Sequence, residues 1–270
     1  MNIQNISETA TPSSKGYWVT SIDEHISYTE NGHNLIEESE ESSFWYEHRL
    51  NCLQVLLHHY PLQAILDVGG GNGQIVEFLQ NQSINAVLLE PMIEGVLNAQ
   101  KKGVQQIVWG SLESLAPKEN SIPAIGLFDV LEHIEDDQQL LAQLYKALAP
   151  QGWLLISVPA FQFLFSDFDR EVGHYRRYTL RKLSQKLAQC GFEIQYKTYL
   201  FLPLPLLIWP IRKFYRLIKK RTKRRKLGHV QKNGFFGSLL RLYLKTEIFL
   251  IKRKISIPFG STCVIVACKT

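Results

Sequence analysis

The stretch Ala64-Ile-Leu-Asp-Val-Gly-Gly-Gly-Asn-Gly73 constrains what this chain can fold into more than any other. An apolar run ends in Asp67, a glycine-rich turn follows, and a helical pattern then runs from Gln74 to Gln80. This is a strand–loop–helix unit. Glycine lacks a Cβ and tolerates positive φ, so such a loop lets backbone approach a ligand closely. The glycines at 69, 71 and 73 read G-x-G-x-G. Gln74 and Val76 stand where a dinucleotide fingerprint would require the third glycine. The ligand is therefore sought among other nucleotide-like molecules.

Downstream, strands and helices alternate. Asn85-Ala-Val-Leu-Leu-Glu90 reads as a buried strand ending in an acid, with Glu90 seventeen residues beyond Gly73. That is close to where nucleotide-binding α/β folds place a carboxylate, which can accept two hydrogen bonds from the vicinal hydroxyls of a ribose. Gln105 to Gly110 reads as a third strand leading to Ser111 and Leu112, and Ile122 to Asp129 as a fourth. A helix is expected from about Asp136 to Leu148, its first-turn acids matching the helix dipole. Pro150 and Gly152 end it, and Trp153 to Pro159 forms a fifth strand. This order implies a parallel, doubly wound sheet, in which ligands sit at the carboxyl ends of the strands. Asp67, Glu90, Ser111, Asp129 and Pro159 all fall at that edge.

Here the residues resemble a known family. Asp67-Val-Gly-Gly-Gly-Asn-Gly73, Leu88-Leu-Glu90 and Phe128-Asp-Val-Leu-Glu-His133, followed by an acidic helix start, are similar to class I S-adenosylmethionine (SAM)-dependent methyltransferases. The Asp-Val-Leu-Glu-His stretch resembles the branch that contains ubiquinone-pathway and other small-molecule methyltransferases. The similarity covers residues 43–200 and the terminal strand. It implies a Rossmann-like seven-stranded sheet whose last strand, Ser261 to Cys268, inserts antiparallel beside the fifth. It also implies SAM as cofactor, with S-adenosylhomocysteine as product. Asp67, Gly69, Gly70, Gly71, Gly73, Glu90 and Pro91 are expected around the cofactor, and Asp129 and Val130 near its methionine end. At the adenine, the family's usual acid is replaced by Ser111, followed by Leu112.

The acceptor is expected against the long connection after the fifth strand, eighteen residues from Phe161 to Tyr178. Its run His174-Tyr-Arg-Arg-Tyr178 supplies a near-neutral base, two guanidinium forks and two stacking faces. Similar runs recur in methyltransferases of bacterial surface-glycan and lipid modification. The alternative is that Arg176 or Arg177 pairs with Asp167, Asp169 or Glu171 and only pins the loop. His174 and His133 are the candidate bases. Trp45, His48 and Arg49, on a helix expected from Phe44 to His59, join Tyr175, Arg176, Arg177 and Tyr178 as candidate acceptor contacts. The same helix also reads as amphipathic with a solvated Arg. No His and acid cluster shows metal-ligand spacing, so no metal is expected.

The 45% hydrophobic content is ample for a core, and four scattered Cys without a C-x-x-C fit a reducing compartment. No basic segment precedes an apolar one at the start, so no secretory signal is read. No apolar run reaches the roughly 18–20 residues a spanning helix needs. The net charge of +5 is local: ten of the thirty Lys and Arg lie in residues 212–226, without an acid. Before this run, Leu200 to Pro210 is apolar but broken by three prolines, and after it Leu239 to Ile251 reads as an apolar helix. An apolar wedge with a basic amphipathic helix is what an interfacial anchor requires. A domain cap, a dimer interface or nucleic acid would be the other uses, and no nucleic-acid module is recognisable.

The expected organisation is a polar, partly disordered segment over 1–42, a SAM-binding core over 43–200, an apolar and basic helical insertion over 201–256, and the final strand over 257–270. The function this supports is methyl transfer, expected as O-methylation, to an amphipathic or lipid-linked small molecule at a membrane surface. The protein would be cytoplasmic and peripheral to the inner face of the membrane, with homo-oligomerisation through the insertion open. A catalytically silent SAM-binding scaffold docked on a membrane is the alternative, and an NAD or nucleotide-sugar enzyme on a similar fold a third.

Overall fold

Alternation with period two lets each strand bury both faces. In Thr262–Lys269, Cys263, Ile265 and Ala267 enter one core layer while Val264 and Val266 enter the other. The computed structural model describes residues 1–20, 44–60, 62–202 and 235–270, with side chains from Tyr46 and from Leu242 onward in the second and fourth segments.

In chain order the elements are α1 (Ile3–Ile6), β1 (Thr11–Pro12), β2 (Trp18–Val19), α2 (Phe44–His59), β3 (Ala64–Val68), α3 (Gln74–Asn81), β4 (Asn85–Glu90), α4 (Ile93–Lys101), β5 (Ile107–Trp109), α5 (Leu112–Leu115) and β6 (Ile122–Phe128). There follow α6 (Asp137–Ala147), β7 (Leu148–Pro159), α7 (Asp167–Glu171), α8 (Leu180–Gln189), β8 (Phe192–Leu200), α9 (Phe235–Lys252) and β9 (Thr262–Lys269). The strands form one sheet in the order β1-β2-β5-β4-β3-β6-β7-β9-β8. From β2 through β7 neighbouring strands run parallel, and β9 pairs antiparallel with both β7 and β8. The chain winds outward from β3 in one direction and resumes at β6 in the other, so the crevice between the ends of β3 and β6 is the topological switch point.

Helices cover both faces. One layer holds Leu141 and Leu144 of α6 with Leu183 and Leu187 of α8; the other holds Leu53 and Leu56 of α2, Val76 and Leu79 of α3, and Ile251 of α9. The insertion helix α9 is tied to α2 by a buried polar pair, with His48 Nε2 2.8 Å from Glu247 Oε2. Tyr243 Oη and the Leu202 N–H also donate to Glu247.

The seven core strands match the expectation, but residues 1–20 do not form a disordered tail. Strand β2 extends the sheet parallel to β5, and β1 returns antiparallel beside it. Ile3, Ile6, Ala10 and Tyr17 are buried, Thr9 Oγ1 donates to Ser114 O at 2.8 Å, and Thr20 N donates to Trp109 O at 3.1 Å. An edge addition needs only a few apolar anchors and borrows its hydrogen bonds from the existing strand, so a polar composition hides it. The acidic patch at 37–41, positions 203–210 of the proline-broken apolar stretch and the basic run 212–226 lie outside the described residues, while Leu200 and Phe201, which open that stretch, are buried.

Candidate active site

The glycine loop closes the end of β3 under tight constraints. Gly69, Gly71 and Gly73 have φ of 69, 56 and 73°, where side chains are disfavoured. A Cβ on Gly70 would lie 2.4 Å from Asp67 Oδ2 and 2.6 Å from Leu88 Cδ1, and one on Gly69 would lie 2.9 Å from Val130 Cγ2. The loop thus packs against both β4 and the turn after β6. Glu90 pins it, accepting 2.8 Å hydrogen bonds from the N–H groups of Gly71 and Met92.

Two buried carboxylates flank this loop. Burial raises Glu90 to about 7, although the Met92 and Gly71 N–H groups oppose the shift. Asp67 is raised to about 7 first by burial and then by the charge of Glu90, with Arg49 opposing. Neither Asp67 oxygen has a hydrogen-bond partner among the described residues. A backbone cradle open only to glycine, with the unsatisfied Asp67 and the buried Glu90 beneath, fits a ligand that brings hydroxyls and positive charge, as SAM does.

The other side of the switch point starts at Asp129, held at φ 56°. Arg49 Nη1 lies 2.5 Å from Asp129 Oδ2, and Ser157 Oγ donates to Asp129 Oδ1 at 3.3 Å. A 3-10 turn, Leu131–His133, follows. Glu132 is 1% exposed and neither of its oxygens has a hydrogen-bond partner among the described residues, so burial, then the charge of Asp129, pushes its pKa well up, with Arg49 and Arg177 opposing. The loop from Phe161 to Tyr178 folds onto this turn, with Tyr175 N donating to Glu132 O at 2.8 Å. That contact stacks the His174 ring edge-on against His133, 4.6 Å between centroids, with His174 Nε2 4.0 Å from Glu132 Oε1. Burial and then His174 lower His133 to about 4, so it is neutral near pH 7.

Asp169 fixes His174 from behind. Its Oδ1 lies 3.0 Å from His174 Nδ1 and accepts from Arg177 Nε at 2.7 Å, while Oδ2 accepts from Ser166 N and Oγ, each at 2.7 Å. Burial alone would raise Asp169, but the His174, Arg177 and Ser166 bonds hold it well below the usual carboxylate range. Ionised Asp169 favours the proton on Nδ1, which leaves the Nε2 lone pair toward Glu132.

A family model described as a methyltransferase domain matches residues 30–197. The chain belongs to that family. A probable S-adenosylmethionine-dependent methyltransferase of Mycolicibacterium smegmatis is 24% identical over 168 residues, covering 61% of this chain and 65% of that protein, just under two thirds of its length. Two solved structures share the fold. A SAM-dependent methyltransferase from Archaeoglobus fulgidus has a TM-score of 0.53 at 17% identity, covering 88% of this chain and 100% of that one. Phosphoethanolamine N-methyltransferase 2 of Haemonchus contortus, in complex with SAM, has a TM-score of 0.52 at 17% identity, covering 81% of this chain and 52% of that one. The cofactor is SAM.

Within this methyltransferase, the expected cofactor residues gather at one edge, but their states differ. Ser111 is the N-cap of α5, its Oγ accepting from Ser114 N at 3.1 Å in a reciprocal capping box, so its hydroxyl is committed to the helix. Leu112 is buried in the core, and the Pro91 carbonyl accepts from Trp109 Nε1. Among the acceptor candidates, Arg49 reaches the site through Asp129. His48, one residue earlier, is buried and paired with Glu247 instead, because successive residues of a helix point about 100° apart. Trp45 lies on α2, its side chain outside the described residues.

Tyr178 is corrected from a stacking face to a core residue: it is 2% exposed and donates to Asp137 Oδ2 at 2.8 Å. Arg176 pairs with Asp137 at 3.1 Å and Arg177 with Asp169, so both pin the loop. Tyr175 is 43% exposed at the rim. Sequence reading missed Glu132, and it named Asp169 as a partner of the arginines but not of His174. Their one signal was an acid beside a candidate His and an acid five residues before the other, and neither spacing reveals burial.

A small, mostly apolar cavity of about 40 Å³ lies beneath α2, lined by Leu50, Leu53, Leu56, Phe128 and Val264 and by the polar pair Arg49 and Ser157. A wider polar depression, about 370 Å³, starts at Asn85 on the opposite edge of the sheet and holds none of the candidate residues.

Proposed function

We propose that this chain transfers the methyl group of SAM to a hydroxyl of an amphipathic or lipid-linked small molecule at a membrane surface. The observation that carries the reading is the Glu132–His133–His174 cluster, set across the switch point from the glycine loop and buttressed by Asp169. The sulfonium of SAM supplies an electrophilic methyl. The protein's work is to align the acceptor oxygen with it and to receive a proton. The backbone of Gly69 to Gly73, with Glu90, holds the nucleoside part, and Arg49 holds Asp129 in place. His174, oriented through Nδ1, offers Nε2 to the acceptor proton, and His133 packs beside it.

The amphipathic acceptor is supported by the apolar cavity beside Arg49 and by exposed apolar groups on two elements. Phe163 and Phe168 on the acceptor loop are 52% and 62% exposed, and Leu242 and Phe249 on α9 are 64% and 51% exposed. No helix among the described residues is long and apolar enough to cross a membrane, so attachment would be at the surface. There the ten cations of residues 212–226 would meet anionic headgroups, each contributing about 1 kcal/mol.

Calorimetric titration with SAM, followed by a methyl-release assay on membrane-lipid extract, tests the activity. Saturable SAM binding and labelled lipid product are expected. Saturable NAD binding with undetectable SAM binding would overturn the reading, and tight SAM binding without transfer would make the chain a scaffold. For the membrane, sedimentation with anionic liposomes should be lost when Lys219 to Lys226 are neutralised. Retained sedimentation would mean that another surface docks.

A further inference from the structure

We propose that Glu132, His133 and His174 form a binding site for one divalent transition-metal ion at the acceptor end of the strand edge. One donor atom from each residue lies within 4.8 Å of the other two. The donors come from two segments, the turn after β6 and the loop after β7, joined by the 2.8 Å hydrogen bond from Tyr175 N to Glu132 O.

Three features point to a cation. First, Glu132 is 1% exposed with no hydrogen-bond partner for either oxygen among the described residues. A buried carboxylate in that state is costly unless a positive charge meets it. Second, His174 is held as metal-binding histidines usually are, one ring nitrogen on a carboxylate and the other free to donate its lone pair. Asp169 takes Nδ1 at 3.0 Å and is itself fixed by Arg177 and Ser166, so the ring cannot turn away. Third, the loop places His174 Nε2 4.0 Å from Glu132 Oε1, too far for a hydrogen bond and close to the separation of two donors sharing an ion.

The donor set selects the class of ion. Two imidazoles and one carboxylate, with positions left open, suit Mn²⁺, Fe²⁺, Co²⁺ or Zn²⁺, whereas Ca²⁺ and Mg²⁺ favour all-oxygen shells. Bonds of about 2.1 Å put opposite donors about 4.2 Å apart and adjacent donors closer. Binding would therefore draw the three side chains inward by about 1 Å, a movement that side-chain torsions supply. Asp129 stays outside the set, its carboxylate occupied by Arg49 and Ser157.

The open positions would take a hydroxyl oxygen of the acceptor, and a metal-bound hydroxyl gives up its proton more readily than a free one. This role rests on the methyl-transfer reading; the binding of the ion does not. With the ion bound, the Nε2 lone pair of His174 is on the metal and the acceptor proton passes to solvent water; the free-base role of His174 belongs to the metal-free chain.

The full chain, stripped with a chelator, is titrated with Mn²⁺ while the free-ion electron paramagnetic resonance signal is followed. One ion per chain is expected, displaced by Zn²⁺. Glu132→Gln and His174→Ala should each weaken binding by at least about tenfold, and Asp169→Asn by about tenfold. A pulsed measurement on wild-type protein needs no variant and should show nitrogen coupling from imidazole on the bound Mn²⁺. Absence of stoichiometric binding, binding unchanged in both ligand variants, or absence of nitrogen coupling would each overturn the site. Methyl transfer undiminished in chelator would overturn its role toward the acceptor. Mn²⁺ binding with the expected coupling but no transfer would uphold the site and sink the methyl-transfer reading instead.

Discussion

The two halves of the strand-end edge are built by opposite means. The cofactor half is local: Asp67, the glycines and Glu90 span 24 residues, and the decisive contact joins Gly71 to Glu90 across adjacent strands. The acceptor half is assembled from Arg49 on α2, Asp129 to His133 after β6, and Asp169 to Arg177 after β7, and its order depends on ion pairs. Close backbone approach is a property of a few consecutive residues, so one short motif can encode it. A side-chain cluster exists only once distant segments have packed.

The sharpest way to break the comparison is to damage one half and watch the other. Gly70→Ala forces a methyl group to within 2.4 Å of Asp67 and should weaken SAM binding up to about 100-fold, as overpacking costs about 1–3 kcal/mol and displaces the cradle. Calorimetry reads the loss, and circular dichroism should still show a folded chain. Asp169→Asn removes the charge that orders His174 and Arg177, so methyl transfer should fall about 10–100-fold while SAM affinity changes less than about twofold. If SAM binding fell in parallel, the halves would not be separable. Glu90→Gln keeps the shape but loses charge-assisted bonds, and should raise the SAM dissociation constant about tenfold with no effect on the order of the loop from Phe161 to Tyr178.

The smallest effect is in pH. Asp67 and Glu90 are lifted to about 7 by burial, above unfolded values of about 4. The folded apo protein therefore binds more protons than the unfolded chain in that window. Their stability contribution is full below about pH 4 and is lost as pH rises toward 7. Binding of cationic SAM favours the ionised carboxylates, so titrations near pH 6.5 in buffers of different ionisation enthalpy should show proton release. Glu90→Gln should reduce it.

The same asymmetry sets what the sequence made legible. The strands from β3 to β9 and the boundaries of α3 and α8 follow from apolar periodicity, Gly73, Thr179 and Gly191. The glycine loop and Glu90 could be assigned because their chemistry is contiguous. The residues after β6 and β7 were legible by type but not by state: Tyr178 carries the same ring whether it lines a pocket or bonds Asp137 in the core. Glu132 looked like one acid among several, since only the packing of a loop forty residues later buries it beside His174. His48 and Arg49 were read together, yet helix geometry sends them to Glu247 and Asp129 respectively.

The N-terminal strand pair decides how this sheet meets other molecules. Without residues 1–20, β5 would present an unpaired row of N–H and C=O groups, a template for strand pairing between chains. With them, the outermost strand is β1, two residues long, and Pro12 brings no N–H to it. The edge is thereby blunted against polymerisation, and a chain begun after Thr20 should aggregate with a rise in intermolecular β-structure.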